Sequence, residues 1–282
     1  MSRAHLVIIG AGRMGQGLAL ALGQAGAQVV LVARTPRSVP PPLVVHRGHR
    51  GEATRTAETI IIATPDAAIR GLAEELFREG AVTRDQIVLH VSGLLDRGAL
   101  AALEPTGAGL GSFHPLQTIA DPAAAAARVR GAYCGIEGDE RAMIAGERLA
   151  SLLEMHPVRL PAGSKASYHA GAVFAANFPV VLLSVAEQLA RDAGVPAHLA
   201  SEIYLPLLRG AAANLDLGPA AALTGPIRRG DVETVQAHLA ALGPDIRQLY
   251  RSLGLVALAL ARTAGLAETA ADAIERVLRR DG

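Results

Sequence analysis

The hydrophobic pattern of the chain changes near residues 160–165, and this change constrains the fold more than any other feature of the sequence. Before it, short runs rich in β-branched residues alternate with helical stretches, which predicts a parallel sheet covered by helices. After it, Ala- and Leu-rich stretches are interrupted mainly by glycine–proline pairs, which predicts about five or six helices. We therefore expect an α/β domain over residues 1–162 and an all-α domain over residues 163–282.

The predicted strands are short apolar runs separated by turn residues or helical segments. They are Leu6–Ile9, Val29–Val32, Leu43–Val45, Thr59–Ala63, Ile87–Val91, Gly109–Phe113 and Tyr133–Ile136, with a further run at Val158–Leu160. About ten residues, including three consecutive prolines, separate the second run from the third, whereas a parallel crossover usually needs a dozen or more. We therefore expect the second crossover to lack its helix. We expect a helix at the alanine run Ala123–Ala127 and helix caps at Ser164 and Asp245.

The segment Gly10-Ala11-Gly12-Arg13-Met14-Gly15 follows the first predicted strand directly and opens a helical run. In this context Gly10 makes a tight turn, Gly12 lets the backbone approach a pyrophosphate, and Gly15 permits close packing of helix on strand. The free N–H groups of the helix start then face the anion. An isolated GxGxxG is a weak signal that also occurs in turns, but the strand–turn–helix context predicts a dinucleotide site that includes Arg13 and Met14.

The charges after the second predicted strand indicate which dinucleotide is bound. An NAD site usually places Asp or Glu there to bind the ribose 2′-hydroxyl, but the first acidic residue of the chain is Glu52. Arg34, Thr35 and Arg37 stand at this position instead and suit a 2′-phosphate. The alternative is a solvated basic loop. We expect NADP(H) as the cofactor.

Polar residues follow three more of the predicted strands, at the sheet edge where ligands bind in such folds. Thr64 and Pro65 are expected beside the nicotinamide ribose, whereas Asp66, which follows them, is expected chiefly as a helix cap. Ser92 either donates a hydrogen bond or begins a turn. His114 either binds or protonates a substrate oxygen, since imidazole titrates near neutrality, or is a loop histidine fixed by the next proline.

Lys165 is the only lysine among 27 basic side chains, in a chain that otherwise uses arginine. An ammonium group can shift its pKa and release a proton, which a guanidinium cannot, so a single lysine suggests a chemical role. His169 lies four residues later on the same helical face, and Asn177 lies about 80° round from it. These three residues are candidates for catalysis or substrate binding. The alternative is a polar network between domains.

Several classes of function are disfavoured by composition. The net charge of +1 and an aromatic content of 3% do not favour nucleic acid. Cys134 is the only cysteine and the remaining histidines show no ligand spacing, so we expect no disulfide and no metal site. The N-terminal apolar run is too short for export, and Ala170–Ala186 falls short of the ~20 residues a bilayer requires, so we expect a buried helix there, no membrane association and a cytoplasmic protein.

Four motifs together resemble one family. They are the glycine motif, Ser112-Phe113-His114-Pro115-Leu116-Gln117-Thr118, Lys165 with Tyr168-His169-Ala170 and Asn177, and Thr224-Gly225-Pro226-Ile227-Arg228-Arg229-Gly230-Asp231. The chain is similar over nearly its full length to Rossmann-like oxidoreductases that carry a C-terminal helical domain of unknown function. These are related to ketopantoate reductase, pyrroline-5-carboxylate reductase and prephenate dehydrogenase.

The resemblance implies residues as well as a fold. Ketopantoate and hydroxyacid enzymes carry a lysine with an asparagine four residues later, where this chain has His169. Prephenate dehydrogenases are similar in placing a serine and a His-Pro pair after successive strands, as at Ser92 and His114.

Two functions follow from these features. The first is an NADPH-dependent reductase acting on a C=O or C=N group, with Lys165 or His114 stabilising or protonating the developing anion. In this enzyme Thr224 and Arg228 either bind a substrate carboxylate or form a helix-start turn. The second is a non-catalytic NADP(H)-sensing protein whose helical half contacts a partner. The apolar stretch Leu253–Ala261 predicts a homodimer through the C-terminal helices.

Overall fold

The computed structural model describes residues 5–34, 38–47 and 50–280 and divides the chain into two compact units, Met1–Asn177 and Phe178–Gly282. The division lies beyond the domain boundary expected at residue 162, because the helix that begins at Lys165 packs its first side chain into the first unit. This helix supplies residues to the polar cluster described below.

The first unit contains an eight-stranded sheet. Its strands are β1 (His5–Ile9), β2 (Gln28–Ala33), β3 (Val45–Arg47), β4 (Thr59–Ile62), β5 (Ile87–His90), β6 (Gly109–Pro115), β7 (Tyr133–Gly138) and β8 (His156–Arg159), in the spatial order β3-β2-β1-β4-β5-β6-β7-β8. The first six follow the order of a doubly wound dinucleotide-binding sheet. The predicted α/β class is confirmed.

One part of the parallel-sheet prediction is wrong, because β7 runs antiparallel to β6. The segment between them holds only a 3₁₀ turn, Pro122–Ala124, and the five-residue helix α4 (Ala125–Val129), so the chain re-enters the sheet at the edge where β6 ends. The alanine run is helical as predicted. The prediction that the second crossover lacks a helix is also confirmed, since residues 38–44 contain none.

Helices cover both faces of the sheet. They are α1 (Arg13–Gln24), α2 (Arg50–Thr56), α3 (Asp66–Arg78), α5 (Glu140–Leu152) and α6 (Lys165–Ala172), with a 3₁₀ helix at Arg97–Thr106. Successive residues of each central strand enter opposite cores: Leu6 and Ile8 pack in one layer, and Val7 and Ile9 in the other. Near-continuous burial of this kind is expected when both faces of a parallel sheet are covered.

The second unit is helical. It consists of α7 (Phe178–Asp192), α8 (Leu205–Asn214), α9 (Pro219–Ala222), α10 (Pro226–Arg229), α11 (Val232–Ala241), α12 (Pro244–Thr263) and α13 (Glu268–Arg279), and α10 to α13 supply its apolar core. With α6, the described chain beyond the sheet has more helices than predicted, because two glycine–proline pairs start single-turn helices at Pro219 and Pro226.

Neither predicted helix cap forms a side-chain cap. Ser164 stands at the N-cap position of α6 as predicted, but its hydroxyl donates to the Pro161 carbonyl and makes no capping hydrogen bond. The prediction for Asp245 is wrong, because this residue lies inside the first turn of α12. Asp66 is likewise the first residue of α3 rather than its cap. At two of these positions proline starts the helix or stands just before it, so the acidic side chain lies past the cap position, by one residue at Asp66 and by two at Asp245.

The prediction of a buried helix over Ala170–Ala186 is also wrong. A continuous helical run of 28 residues, Lys165–Asp192, is the one helix of the described chain long and apolar enough to cross a membrane, and none of its most apolar window is buried. Phe174 and Val180 are two-thirds exposed. Five of its residues, Val173–Asn177, form a π-helical turn between α6 and α7.

Candidate functional site

A groove lies at the carboxyl ends of β1, β2 and β4 in the first unit. Its volume is about 380 Å³, within the range of small-molecule sites. It is lined by Ile9, Gly10, Ala11, Gly12, Ala33, Arg34, Ala63, Thr64, Pro65, Ala68, Gly71, Leu72 and Glu75. Five of the predicted cofactor-binding residues therefore line one groove: Gly10, Gly12, Arg34, Thr64 and Pro65.

The glycine motif shapes this groove as the sequence predicts. Gly10 has a φ of +122°, and a Cβ on it would lie 2.4 Å from the Ala63 carbonyl oxygen. A Cβ on Gly15 would lie 1.9 Å from the Gly10 oxygen, so this glycine permits the contact between α1 and the turn. Gly12, in contrast, faces open space, with nothing within 4 Å of its Cβ position.

The groove offers hydrogen-bonding groups that the described protein does not use. Helix α1 begins at Gly12 without a side-chain cap, so the N–H groups of its first turn are available to an anion. The Thr64 hydroxyl is buried with no hydrogen-bond partner among the described residues. Open space beside Gly12, free N–H groups and an unpaired hydroxyl fit a dinucleotide.

The remaining cofactor candidates are placed differently. Arg13 is exposed on α1, and Met14 packs against the apolar core rather than lining the groove. Thr35 and Arg37 lie outside the described residues. Glu75 is a groove residue that the sequence did not indicate, because it lies within α3 and not at the end of the second strand, where a ribose-binding carboxylate is expected.

A buried polar cluster lies beyond β5 and β6 in the same unit. Lys165 is 2% exposed, and its ammonium donates to the Ser92 carbonyl at 2.6 Å and to the Ser112 hydroxyl at 2.9 Å. Burial lowers the pKa of Lys165 to about 8, against the opposing effect of the carboxylates of Glu137, Asp66 and others. The sole lysine therefore joins a residue just after β5 and a residue within β6 to the start of α6.

The Ser92 side chain both donates and accepts. Its hydroxyl donates to the Asp66 carboxylate at 2.8 Å and accepts from the N–H groups of Leu94 and Leu95. Both predicted alternatives for Ser92, donor and turn residue, therefore apply. Because Asp66 follows the groove residues Thr64 and Pro65 directly, this hydrogen bond links the polar cluster to the groove.

His114 is a strand residue of β6, not a loop residue. Its Nδ1 lies 3.2 Å from the Tyr168 hydroxyl, and its ring packs edge-on against both Tyr168 and His169. Burial, helped by the charge of Lys165, lowers the pKa of His114 to about 4. The ring is therefore neutral near pH 7.

His90 and Glu137 complete the cluster. His90 is fully buried within β5, and burial lowers its pKa to about 4, while one ring nitrogen contacts the Asp96 carbonyl at 3.0 Å. Glu137, which stands opposite Ser112 in the β6–β7 register, accepts from the Arg97 N–H, and burial raises its pKa. Glu137 directly follows the predicted strand Tyr133–Ile136, and it was missed because no motif marks it.

His169 lies on α6 beside His114, whereas Asn177 lies elsewhere. Nδ1 of His169 is buried with no hydrogen-bond partner among the described residues. Asn177 is exposed at the end of the π-helical turn, so the angle predicted from a regular α-helix does not apply to it. The structure thus brings together four of the five predicted catalytic candidates: Ser92, His114, Lys165 and His169.

In the second unit, Arg228 donates to the Ala264 carbonyl at 2.9 Å. This contact ties α10 to the end of α12, and Gly225-Pro226 forms the start of α10. Within the described residues, no group of three or more His, Cys, Asp or Glu side chains is placed to hold a metal ion.

Solved structures share this fold. A Bacteroides fragilis protein named as a candidate NADP oxidoreductase matches with a TM-score of 0.69 and 23% identity, over 93% of this chain and 98% of its own. Protein TM1727 from Thermotoga maritima matches with a TM-score of 0.67 and 21% identity, over 92% and 98%. Pyrroline carboxylate reductase from Plasmodium falciparum, solved with NADP bound, matches with a TM-score of 0.57 and 12% identity, over 98% and 99%.

Family models account for most of the chain. No curated protein matches it in sequence. A model described as a Rossmann-like domain matches residues 1–115, and a model described as a domain of unknown function, DUF2520, matches residues 132–257. The order of the strands, the glycine motif and both matches agree with the resemblance found in the sequence. The chain therefore carries a Rossmann-like domain followed by a DUF2520 domain.

Proposed function

We propose that this protein is an NADP(H)-dependent oxidoreductase that transfers a hydride to or from a C=O or C=N group of a small, carboxylated metabolite. The observation that carries the proposal is the hydrogen bond between Asp66 and Ser92, which connects the groove at the glycine motif to a buried cluster of ionisable side chains. Perturbed ionisable groups beside a cleft are typical of active sites. Similarity to an NADP oxidoreductase fold supports it.

Each part of the groove has a task in binding. The open face of Gly12 and the first turn of α1 receive the pyrophosphate, and the Thr64 hydroxyl faces the same groove. When bound, the dinucleotide supplies or accepts the hydride. The residues of the cluster then orient the substrate and move the proton that accompanies the hydride.

Arg34 supports NADP(H) over NAD(H). It lines the groove directly after β2, where a guanidinium suits a 2′-phosphate, and no carboxylate precedes Glu52 in the chain. Arg37 was predicted for the same role. The structure of the Plasmodium falciparum reductase with NADP shows that a related fold accommodates this nucleotide.

Calorimetry with NADPH and NADH tests the cofactor assignment. We expect NADPH to bind at least about tenfold more tightly than NADH, a difference of roughly 1.4 kcal/mol. Arg34→Ala should remove most of this preference by weakening NADPH alone, whereas Arg148→Ala, an exposed arginine on α5, should leave both affinities unchanged. Equal losses for both nucleotides in Arg34→Ala would contradict the assignment, and absence of heat with either nucleotide would refute the function.

A turnover assay distinguishes the proposed oxidoreductase from a non-catalytic NADP(H)-sensing protein. A catalyst should consume NADPH with some member of a carbonyl and imine panel. A protein that binds NADPH, turns over no compound, and changes its association with a partner when the nucleotide is added would instead be the NADP(H)-sensing protein.

We also propose that the protein is a homodimer through its second unit. Large apolar side chains of α7 and α8 are half to two-thirds exposed, including Val180, Val181 and Leu207. A soluble protein rarely exposes a patch of this extent unless another chain covers it. Two copies related by a two-fold axis cover the same patch on both chains, which requires no further partner.

A further inference from the structure

We infer that His114 and His169 together form one oxygen-binding site above Gly93, which receives a substrate carbonyl or alcohol oxygen, and that Lys165 positions this site rather than donating the proton. The inference rests on the proposed oxidoreductase function and specifies its substrate class as C=O rather than C=N.

Gly93 is the point on which the two imidazole rings converge. A Cβ on this residue would lie 2.4 Å from Nδ1 of His169 and 2.8 Å from Nε2 of His114. Because both nitrogens lie this close to the same point, the distance between them cannot exceed the sum of these two distances. The two rings nevertheless belong to different elements, His114 to β6 and His169 to α6. Nδ1 of His169 is buried and has no hydrogen-bond partner in the described part of the chain, so a ligand atom here would satisfy it.

Tyr168 determines which nitrogen of His114 carries the proton. Burial raises the pKa of Tyr168 to about 12, so its hydroxyl keeps its hydrogen and can donate to Nδ1 of His114. A neutral imidazole that accepts at Nδ1 carries its proton on Nε2. That Nε2–H then donates toward the space above Gly93. Gly135, opposite His114 in the β6–β7 register, makes room for the tyrosine, since a Cβ there would lie 2.6 Å from its hydroxyl.

The ammonium group of Lys165 already donates hydrogen bonds within the protein. Two of its three N–H donors are used by the Ser92 carbonyl and the Ser112 hydroxyl, and the side chain is almost fully buried. Ser92 precedes Gly93, so the ammonium holds the peptide that carries the floor of the oxygen-binding site. Lys165 is therefore a positioning residue.

The surrounding charge favours an oxygen substrate. Lys165 supplies the positive charge that acts most strongly on His114, and the other two ionisable neighbours, His169 and His90, are bases. The carboxylates Glu137, Asp66 and Asp96 act instead on Lys165. A carbonyl develops negative charge as it accepts a hydride, but an imine must first become a cationic iminium ion. Basic surroundings stabilise the first and repel the second.

In the proposed reaction His169 supplies the proton and His114 supplies a hydrogen bond to the substrate oxygen. As the carbonyl carbon gains the hydride, the π electron pair moves to the oxygen, which takes a proton from Nδ1 of protonated His169 and becomes a hydroxyl. The His169 ring, which is partly exposed, regains a proton from water. His114 donates its hydrogen bond to the oxygen throughout. Alcohol oxidation uses the same groups in the opposite direction.

Gly93→Ala in the full chain tests this site, with Gly23→Ala, an exposed α1 glycine with nothing within 4 Å, as the matched control. Both variants should bind NADPH within about threefold of the parent protein in calorimetry, that is within roughly 0.7 kcal/mol. Loss of NADPH binding in the parent would refute the proposed function, whereas the measurements below decide the present inference alone.

Histidine-selective ¹⁵N NMR gives a readout independent of turnover. With signals assigned through His114→Gln and His169→Asn, we expect His114 at pH 7 to be neutral with its proton on Nε2. Gly93→Ala should shift the His114 and His169 signals and leave the other histidines unchanged. Lys165→Met should shift the same two signals. A proton on Nδ1 of His114 would overturn the oxygen-binding site, and unshifted signals in Lys165→Met would overturn the positioning role.

NADPH consumption with 2-oxo acids and with cyclic imino acids of equal carbon number tests the substrate class. We expect turnover of oxo acids only, reduced at least about 100-fold by Gly93→Ala, roughly 2.7 kcal/mol. Faster turnover of the imino acids, or oxo-acid turnover retained in Gly93→Ala, would overturn the inference. If no compound of either class is consumed, the NMR tautomer and ring shifts decide it.

Discussion

Gly12 and Gly15 stand three positions apart in one motif, at the start of α1, yet a methyl group would meet opposite surroundings at the two sites. Gly15→Ala places a Cβ 1.9 Å from a backbone oxygen, so we expect it to lower the free energy of unfolding by more than about 3 kcal/mol. Gly12→Ala meets nothing within 4 Å, so we expect a change below about 0.5 kcal/mol.

The methyl group that Gly12→Ala introduces would occupy the proposed pyrophosphate position. We therefore expect this variant to bind NADPH at least about tenfold more weakly while it retains its fold. Urea denaturation and calorimetry of both variants measure the two effects. Equal loss of stability in the two variants, or unchanged NADPH affinity in Gly12→Ala, would contradict this division of roles.

Lys165 provides a direct test of the polar cluster, since a protein labelled with ¹³C-lysine gives one side-chain signal. We expect this signal to titrate with a pKa of about 8, lowered by burial. The unfolded chain, with a lysine pKa of about 10.4, binds more protons between these values, so this group makes stability rise with pH from about 8 to 10.4. Below pH 8 both states are charged, and the group adds no pH dependence.

Denaturation of the parent protein and of Lys165→Met at pH 7.5 and 9.5 tests this sign. The parent should gain stability relative to the variant at the higher pH. An NMR midpoint above 10 would show that the ammonium is solvated and would contradict the buried position.

At the scale of elements, α6 is the unit that brings the cluster together. Lys165, Tyr168 and His169 fall within its first turn and a half. Lys165 and His169 contact two adjacent residues after β5, the Ser92 carbonyl and Gly93, and Tyr168 contacts Gly135 of β7. The π-helical turn at Val173–Asn177 follows and ends at the boundary between the units. Helix periodicity could therefore predict that Lys165 and His169 share a face, but not the position of Asn177.

The predicted homodimer rests on the exposed apolar side chains of α7 and α8. Val180→Asp and Leu207→Asp replace side chains that are two-thirds exposed in the chain, so they should not disturb its core. We expect either substitution to shift the protein from dimer to monomer in sedimentation equilibrium at micromolar concentration. Val44→Asp, equally exposed but in the first unit, is the control.

A parent protein that sediments as a monomer would refute the homodimer. Binding of the parent, but not of these variants, to phospholipid vesicles would instead assign the exposed helix to a membrane surface.

At the scale of the whole molecule, the two compact units have separate cores. Only the first unit contains the groove, so NADPH should raise the unfolding temperature of that unit. At 100 times its dissociation constant, the nucleotide adds about 2.7 kcal/mol to the stability of the state that binds it. Differential scanning calorimetry should show one transition that moves with NADPH and one that does not. Two equally shifted transitions would mean that the units unfold as one.

The sequence alone determined the α/β class, the helical second half, the missing crossover helix and the glycine groove, because periodicity and glycine geometry are local properties. It also indicated Ser92 and His114, since residues after parallel strands meet at one edge. Lys165 and His169 followed from the single lysine of the chain and from their four-residue spacing on a helix. Only the tertiary structure decided that β7 turns antiparallel, that the apolar helix is exposed, and that Gly93, Tyr168 and Glu137 belong to the cluster. Direction in a sheet, burial and the meeting of distant side chains depend on packing between segments far apart in the chain, which no local pattern encodes.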